Sequence, residues 1–242
     1  MIILNLGCGS KISRHTAIVN IDWSILLRLR TNRLLRLAVP YLLTGDRRKR
    51  FDLLGDNVMV HDLSKGIPFD SNSVDVVYHS HMLEHLDREG VPKFLAEVKR
   101  VLKPGGVHRI VVPDLELLCR KYFKSLERSS SSNSDVENHD GYVGAIIEQC
   151  VRKESAGSSL QPPFRRFIEN ALLGDARKRG ETHQWMYDRV NLGYLLTDSG
   201  FKNSSVERYD TSSIFDWHSY YLDQNEEGNE YNPGSLYMES TK

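Results

Sequence analysis

The chain has too few cysteines for a disulfide frame. Its three, Cys8, Cys119 and Cys150, are scattered with no metal-ligand spacing between them. An odd, sparse set of this kind fits free thiols in a reducing compartment. Excess charge of either sign is also lacking: 32 Lys and Arg face 32 Asp and Glu, which argues against a dedicated nucleic-acid binder. Long apolar runs are absent too. Residues 24–43 are the most apolar stretch, but Arg28, Arg30, Arg33 and Arg36 interrupt it, so it does not read as a membrane span. Met1 runs directly into Ile2-Ile3-Leu4 without the basic and apolar regions of a secretory leader, so the expected location is the cytoplasm. What remains is an ordinary globular composition, 40% hydrophobic and 26% charged. It supports a sizeable core in a single domain over residues 1–242.

Short apolar runs recur along the chain. Ile2 to Leu6, Ala17 to Ile21, Val58 to His61, Val74 to His79 and Val107 to Val112 each read as a buried strand bounded by turn residues. Between the last two, Val91, Phe94, Leu95, Val98, Val101 and Leu102 repeat at three and four, the spacing of one helix face, with Pro104-Gly105-Gly106 as terminator. Asp114 is placed to cap a helix through "LELLCRKYF". Strands alternating with helices predict an α/β fold with a mainly parallel sheet and right-handed crossovers.

The pattern breaks at residues 125–141, "SLERSSSSNSDVENHDG", a polar run expected to be mobile. Residues 125–185 as a whole are expected to form a cap inserted over the sheet. Order returns with a helix marked by Leu192, Leu195 and Leu196 and ended by Ser199-Gly200. "KNSSVERYD" and "SLYMES" then read as two closing strands, antiparallel to each other.

The strand ends carry the candidate chemistry. Gly7-Cys8-Gly9 follows the first strand, where an open parallel sheet binds its ligands. Two glycines one residue apart let the backbone turn tightly and let a ligand approach its N–H groups; a purely structural turn would need the same residues. Asp22 ends the second strand, where a carboxylate can accept from both hydroxyls of a ribose or cap a helix instead. Asp62-Leu63 follows the third strand, within reach of a base. A dinucleotide fingerprint would add a third glycine, yet Ile12 stands in its place. It would also put roughly twenty residues before the acidic position, and here about a dozen separate Gly9 from Asp22. That leaves little helix to face a pyrophosphate. A nucleoside cofactor without diphosphate fits better than a nicotinamide dinucleotide.

Taken together, "LNLGCGS", "NID", "HDL", "HSHMLEHL" and "FLAEVKRVLKPGGVHRIVVPDL" resemble the class I S-adenosylmethionine-dependent methyltransferases. The resemblance is strong over residues 2–124 and weaker from 183 to 242, where "HQWMYD" stands. It implies a Rossmann-like domain with a mainly parallel seven-stranded sheet, helices on both faces and S-adenosyl-L-methionine as cofactor. It further implies that Gly7, Cys8 and Gly9 underlie the methionine tail and sulfonium. Asp22 would bind the ribose, Asp62 and Leu63 would hold the adenine, and Ser80 would face the cofactor. Asn5 departs from the family pattern, in which an acid at that place organises the cofactor's ammonium.

Methyl transfer to a hydroxyl also needs a base. His81 and His85 would lie four apart on one face if their segment were helical, and His183 opens "HQWMYD". Each is a candidate base. Each also has a structural reading, as does Glu84, which would bond nearby backbone. The His81–His85 spacing also suggests a metal pair, but without an evident third ligand no metal is expected. Trp185 and Tyr187 offer flat faces to a small-molecule or glycan-type acceptor, or else anchor the cap. The basic stretch within residues 24–50 lines the acceptor site, lies weakly on anionic lipid, or is a solvated helix face. Two rival functions stand beside methyl transfer: a nicotinamide-dependent oxidoreductase and a non-catalytic nucleoside-binding module of the same fold.

Overall fold

The computed structural model describes residues 1–9, 11–24, 57–129, 136–149 and 182–242, with residues 27, 28, 30, 39, 48, 51 and 52. Seven strands form one sheet: β1 (Ile3–Leu6), β2 (Ile18–Asp22), β3 (Val58–Val60), β4 (Val74–Ser80), β5 (Leu102–Pro113), β6 (Lys202–Glu207) and β7 (Ser235–Thr241). Their spatial order is β3-β2-β1-β4-β5-β7-β6. The first five are mutually parallel, and β7 runs antiparallel to both β5 and β6. This bears out the mainly parallel seven-stranded sheet and the antiparallel closing pair. The chain order reverses between β1 and β4, so the ends of those strands open the ligand crevice of such a sheet.

Period-two alternation divides the core. Leu4, Leu6, Val77, Ile110 and Val112 face one side and join a cluster with α1 (Val91–Val101) and a later helix, α4 (Arg189–Asp198). Ile3, Val76, Tyr78 and Val111 face the other. There the β6–β7 connection covers them with Ile214, Trp217, Tyr220 and Leu222. Asp188 caps α4 in a reciprocal box with Asn191.

Several boundaries differ from expectation. Pro104-Gly105-Gly106 lies inside β5 rather than between helix and strand: α1 stops at Val101 and β5 starts at once, with an irregular register between Val74 and Val76. Gly106 packs so close to the Asp75 carbonyl that an added Cβ would sit 3.0 Å from it. Asp114 does cap the next helix, α2 (Leu115–Ser129), by accepting from the Leu117 N–H at 3.1 Å. The run 125–141, expected to be mobile, is helical where it is described. Residues 125–129 end α2, and 136–141 begin α3 (Val136–Gln149). The two helices pack through Tyr122, Ser125 and His139, which gives the polar run a partner. Residues 150–181 of the expected cap lie outside the described residues.

Most of the basic stretch 24–50 also lies outside them. Of its described part, Leu27 and Val39 are buried with Phe51 against Val58 and Val60, which is core packing. Among the described residues no helix is long and apolar enough to cross a membrane.

Candidate active site

The Gly7-Cys8-Gly9 loop leaves β1 with both glycines in the left-handed region, at φ of +61° and +54°. An L side chain is strained there. At Gly7 an added Cβ would sit 2.6 Å from the Met82 sulfur, whereas at Gly9 it would meet nothing within 4 Å. The loop therefore rests on Met82 at one end and opens at the other. Asp22 closes it: one carboxylate oxygen accepts from the Gly9 N–H at 2.6 Å and the other from the Ser24 N–H at 2.5 Å. From β1 to β2 the described residues contain no helix, only turns. No helix N-terminus is therefore offered to a pyrophosphate, in line with the short crossover read from the sequence.

Asn5 sits beneath the loop, buried, and donates to the Lys11 carbonyl at 3.0 Å and the Asn20 side-chain oxygen at 2.9 Å. Asn20, fully buried, also accepts from the Ser13 N–H and donates to the carbonyls of Ser13 and Asn57. Nothing in the sequence pattern singled out this residue. Asn20→Ala would strand several of these groups, each costing about 1–3 kcal/mol when buried unpaired. Urea denaturation should show a loss of about 2–3 kcal/mol, and a loss below about 0.5 kcal/mol would mean that the loop does not depend on the ladder.

Cys8 is buried, and burial followed by the Asp22 charge pushes its thiol far up. Its burial is that of a small packing residue, and a raised thiol is the opposite of an activated thiolate. Asp62 caps the short turn Leu63–Lys65, accepting from the Ser64 N–H and hydroxyl at 3.1 and 2.6 Å. The Ser64 hydroxyl is the largest cause holding its carboxyl below the usual range, against burial. Ser80 ends β4 and accepts from the Asn232 amide at 3.0 Å. Lys11, also missed from sequence, is half-buried, with its ammonium 3.6 Å from the Tyr231 ring centre and no hydrogen bond. Burial lowers its pKa to about 8, against the pull of Asp223.

Past Ser80 the chain does not turn into an α-helix. His81 takes a left-handed φ of +50°, and Leu83–His85 is a single tight turn. The helical condition for His81 and His85 to share one face is thus not met, yet both rings still converge, on Glu84. His81 Nδ1 and His85 Nε2 lie 3.5 and 4.0 Å from its Oε1. His183 joins them with its ring centre 4.8 Å from that of His85. The Glu84 carbonyl accepts from the Gln184 N–H at 2.6 Å, which draws "HQWMYD" to this turn. The backbone bond expected of Glu84 is made by its carbonyl alone. Its carboxylate is 1% exposed with no hydrogen-bond partner on either oxygen. Burial raises Glu84 to about 8. Burial and the neighbouring His183 lower His81 and His85 to about 4 each. His79, by contrast, is a core residue bonded to His108 at 3.0 Å.

Glu84, His183, Trp185 and Tyr187 line one small pocket together with Pro113, Leu115 and Leu118. Tyr187 is also held in the main core and bridges Asp114. Trp185 packs against that core with the Arg88 guanidinium 3.9 Å over its ring. Both aromatics therefore anchor their segment while presenting atoms to the cavity.

Residues 41–110 match the family model of the methyltransferase domain. No curated protein matches the chain in sequence. Among solved structures it is similar to an S-adenosylmethionine-dependent methyltransferase from Mesorhizobium loti, at 15% identity and a TM-score of 0.44, covering 100% of this chain and 90% of that one. A similar protein from Archaeoglobus fulgidus gives 13% identity, a TM-score of 0.41 and coverage of 99% and 85%. Phosphoethanolamine N-methyltransferase 2 of Haemonchus contortus, solved with S-adenosyl-L-methionine, gives 14%, 0.43, and coverage of 100% and 48%. The matched segment spans the strands and crossover beside the switch point. That segment, which holds β3, β4, α1 and most of β5 of the seven-stranded sheet, is the part of the chain that is similar to the methyltransferase domain.

Proposed function

We propose that the chain methylates an oxygen or nitrogen of a small-molecule or glycan-type acceptor whose reacting group enters the cavity beside Glu84 and His183. The observation that carries this reading is the position of that cavity. Its Glu84 wall lies two residues beyond Met82, the side chain on which the glycine loop rests. Acceptor and cofactor would then meet at the ends of β1 and β4.

The residues suit the cofactor. Gly7, Cys8 and Gly9 offer a cradle with open space at Gly9, Asp22 stands at the ribose position, and Asp62 and Leu63 lie beyond β3. Asn5 holds the loop from below, and Ser80 borders it from β4. When bound, S-adenosylmethionine supplies a methyl carbon already activated by its sulfonium. What the chain's own residues must do is align the acceptor, exclude water and take a proton. His81 and His85, held neutral by burial, carry free lone pairs at neutral pH, and His183 adds a third imidazole.

The test has two arms. Calorimetry should show binding of S-adenosylhomocysteine and none of NAD; the reverse would restore the oxidoreductase reading. Release of S-adenosylhomocysteine from S-adenosylmethionine, screened against hydroxyl- and amine-bearing small molecules and sugars, should then fall about 10²–10⁴-fold in His85→Ala or His183→Ala if a histidine is the base. Unchanged turnover in both variants would remove histidine base catalysis. Cofactor binding without transfer to any acceptor would favour the non-catalytic module.

A further inference from the structure

The Glu84 carboxyl is buried with no hydrogen-bond partner on either oxygen, a costly arrangement that a cation at this point would relieve. A shared proton does not suffice. The 3.5 and 4.0 Å separations from His81 and His85 exceed hydrogen-bond length. They come close, however, to the spacing of two ligands on one ion: tetrahedral bonds of about 2.0–2.1 Å set ligand atoms roughly 3.4 Å apart. One ligand atom each from Glu84, His85 and His183 lies within 4.8 Å of the others.

The imidazoles are oriented for the same task. His85 Nδ1 lies 3.3 Å from the Thr182 carbonyl, and His183 Nδ1 3.3 Å from the Gln149 carbonyl. A carbonyl accepts only, so each Nδ1 carries the proton and each Nε2 keeps its lone pair. Metal-bound histidines are commonly braced through the other nitrogen in this way. His81 follows the same logic with its nitrogens exchanged. The Ser235 hydroxyl gives its one proton to the Asn232 carbonyl at 2.8 Å, so it accepts from His81 Nε2, and Nδ1 is left bare toward Glu84.

We propose that Glu84, His85 and His183 bind one divalent first-row transition ion of the zinc type, with His81 alongside and an open position toward the acceptor cavity. Two imidazoles and a carboxylate suit such an ion better than magnesium or calcium, which prefer oxygen alone. An acceptor hydroxyl bound at the open position would lose its proton more readily, the bare Nδ1 of His81 taking it up. Its oxygen would then attack the methyl carbon as the carbon–sulfur bond breaks and sulfur keeps the electron pair.

The inference concerns the site of the proposed function, but zinc binding is read without methyl transfer, so either can fail alone. Chelator-treated protein is titrated with zinc chloride, desalted and assayed for metal. One equivalent retained per chain is expected, and cobalt in its place should give the visible bands of a low-coordinate site. Glu84→Gln and His183→Gln should each weaken zinc binding at least tenfold while S-adenosylhomocysteine affinity stays at the wild-type value, which shows that the variants are folded. Less than a tenth of an equivalent retained by the wild type, or unaltered zinc affinity in both variants, would overturn the proposal.

Discussion

Arg109→Met is expected to cost the fold about 3–5 kcal/mol, the range for breaking a buried ion pair from one side. Arg109 sits in the middle of β5 with no exposed surface, yet its guanidinium is fully engaged. It reaches Asp223 at 2.6 Å, Glu239 at 2.5 Å, and the carbonyls of Thr211 and Arg208 at 3.0 and 2.8 Å. Asp223 also accepts from Tyr78 and Trp217, and Glu239 from Ser212 and Ser213. One cation thereby pins the β6–β7 connection to the sheet. Methionine fills much of the volume but leaves two carboxylates buried without their counter-charge.

In a chain of this size the loss should lower Tm by about 10 °C, at roughly 2–4 °C per kcal/mol. The pH dependence has a definite sign. Burial pushes the Glu239 carboxyl up, but the hydrogen bonds from Ser212 and Ser213, with the Arg109 charge, outweigh it and hold the group below its ordinary value. A depressed folded value gives stability that is present above the unfolded value and lost as pH falls through the folded one. The wild type should therefore lose stability in acid while the variant's stranded carboxylates take up protons there. The gap in urea-unfolding free energy should narrow below about pH 4. A gap under about 1 kcal/mol at pH 7 would mean that the network does not hold this face.

The same residue shows where sequence reading stops. β5 was legible because Val107, Ile110, Val111 and Val112 form an apolar run, and its end was read to within one residue, although the strand starts earlier, at Leu102. A strand period says which face a residue takes, not which distant acid will answer a buried charge. Asp223 and Glu239 meet Arg109 only through the fold. The cofactor-binding and catalytic candidates divide likewise. Gly7, Gly9 and Asp22 were readable because a loop after one strand and an acid after the next are local features that a parallel order brings together. The convergence of His85 and His183 on Glu84 was not. It depends on a backbone pairing between Glu84 and Gln184 that leaves no local signal. The condition for His81 and His85 to share a helix face fails on one dihedral: the left-handed backbone of His81 turns the chain before a helical turn can close. His183, whose ring stands beside that of His85, comes from another segment.

Asp22→Ala should weaken S-adenosylhomocysteine binding about 30- to 100-fold. A hydrogen bond to a charged group contributes roughly 1.5–3 kcal/mol, and each 1.4 kcal/mol is a tenfold change in Kd. In the protein itself both carboxylate oxygens already accept backbone N–H groups, from Gly9 and from Ser24. Alanine therefore removes two things at once, the proposed ribose acceptor and the brace of the glycine loop. Asp22→Asn separates them. Its single carbonyl oxygen can still accept from the loop, while the charge and the second acceptor are gone, so the loss should be closer to tenfold with little change in unfolding free energy. Alanine should also cost about 1–2 kcal/mol of stability, because the freed N–H groups lie partly buried. Calorimetric Kd values read beside urea midpoints distinguish the cases. Should Asp22→Ala bind within threefold of the wild type while losing stability, the carboxylate shapes the turn and nothing more. The ribose would then have to be held by groups other than the end of β2.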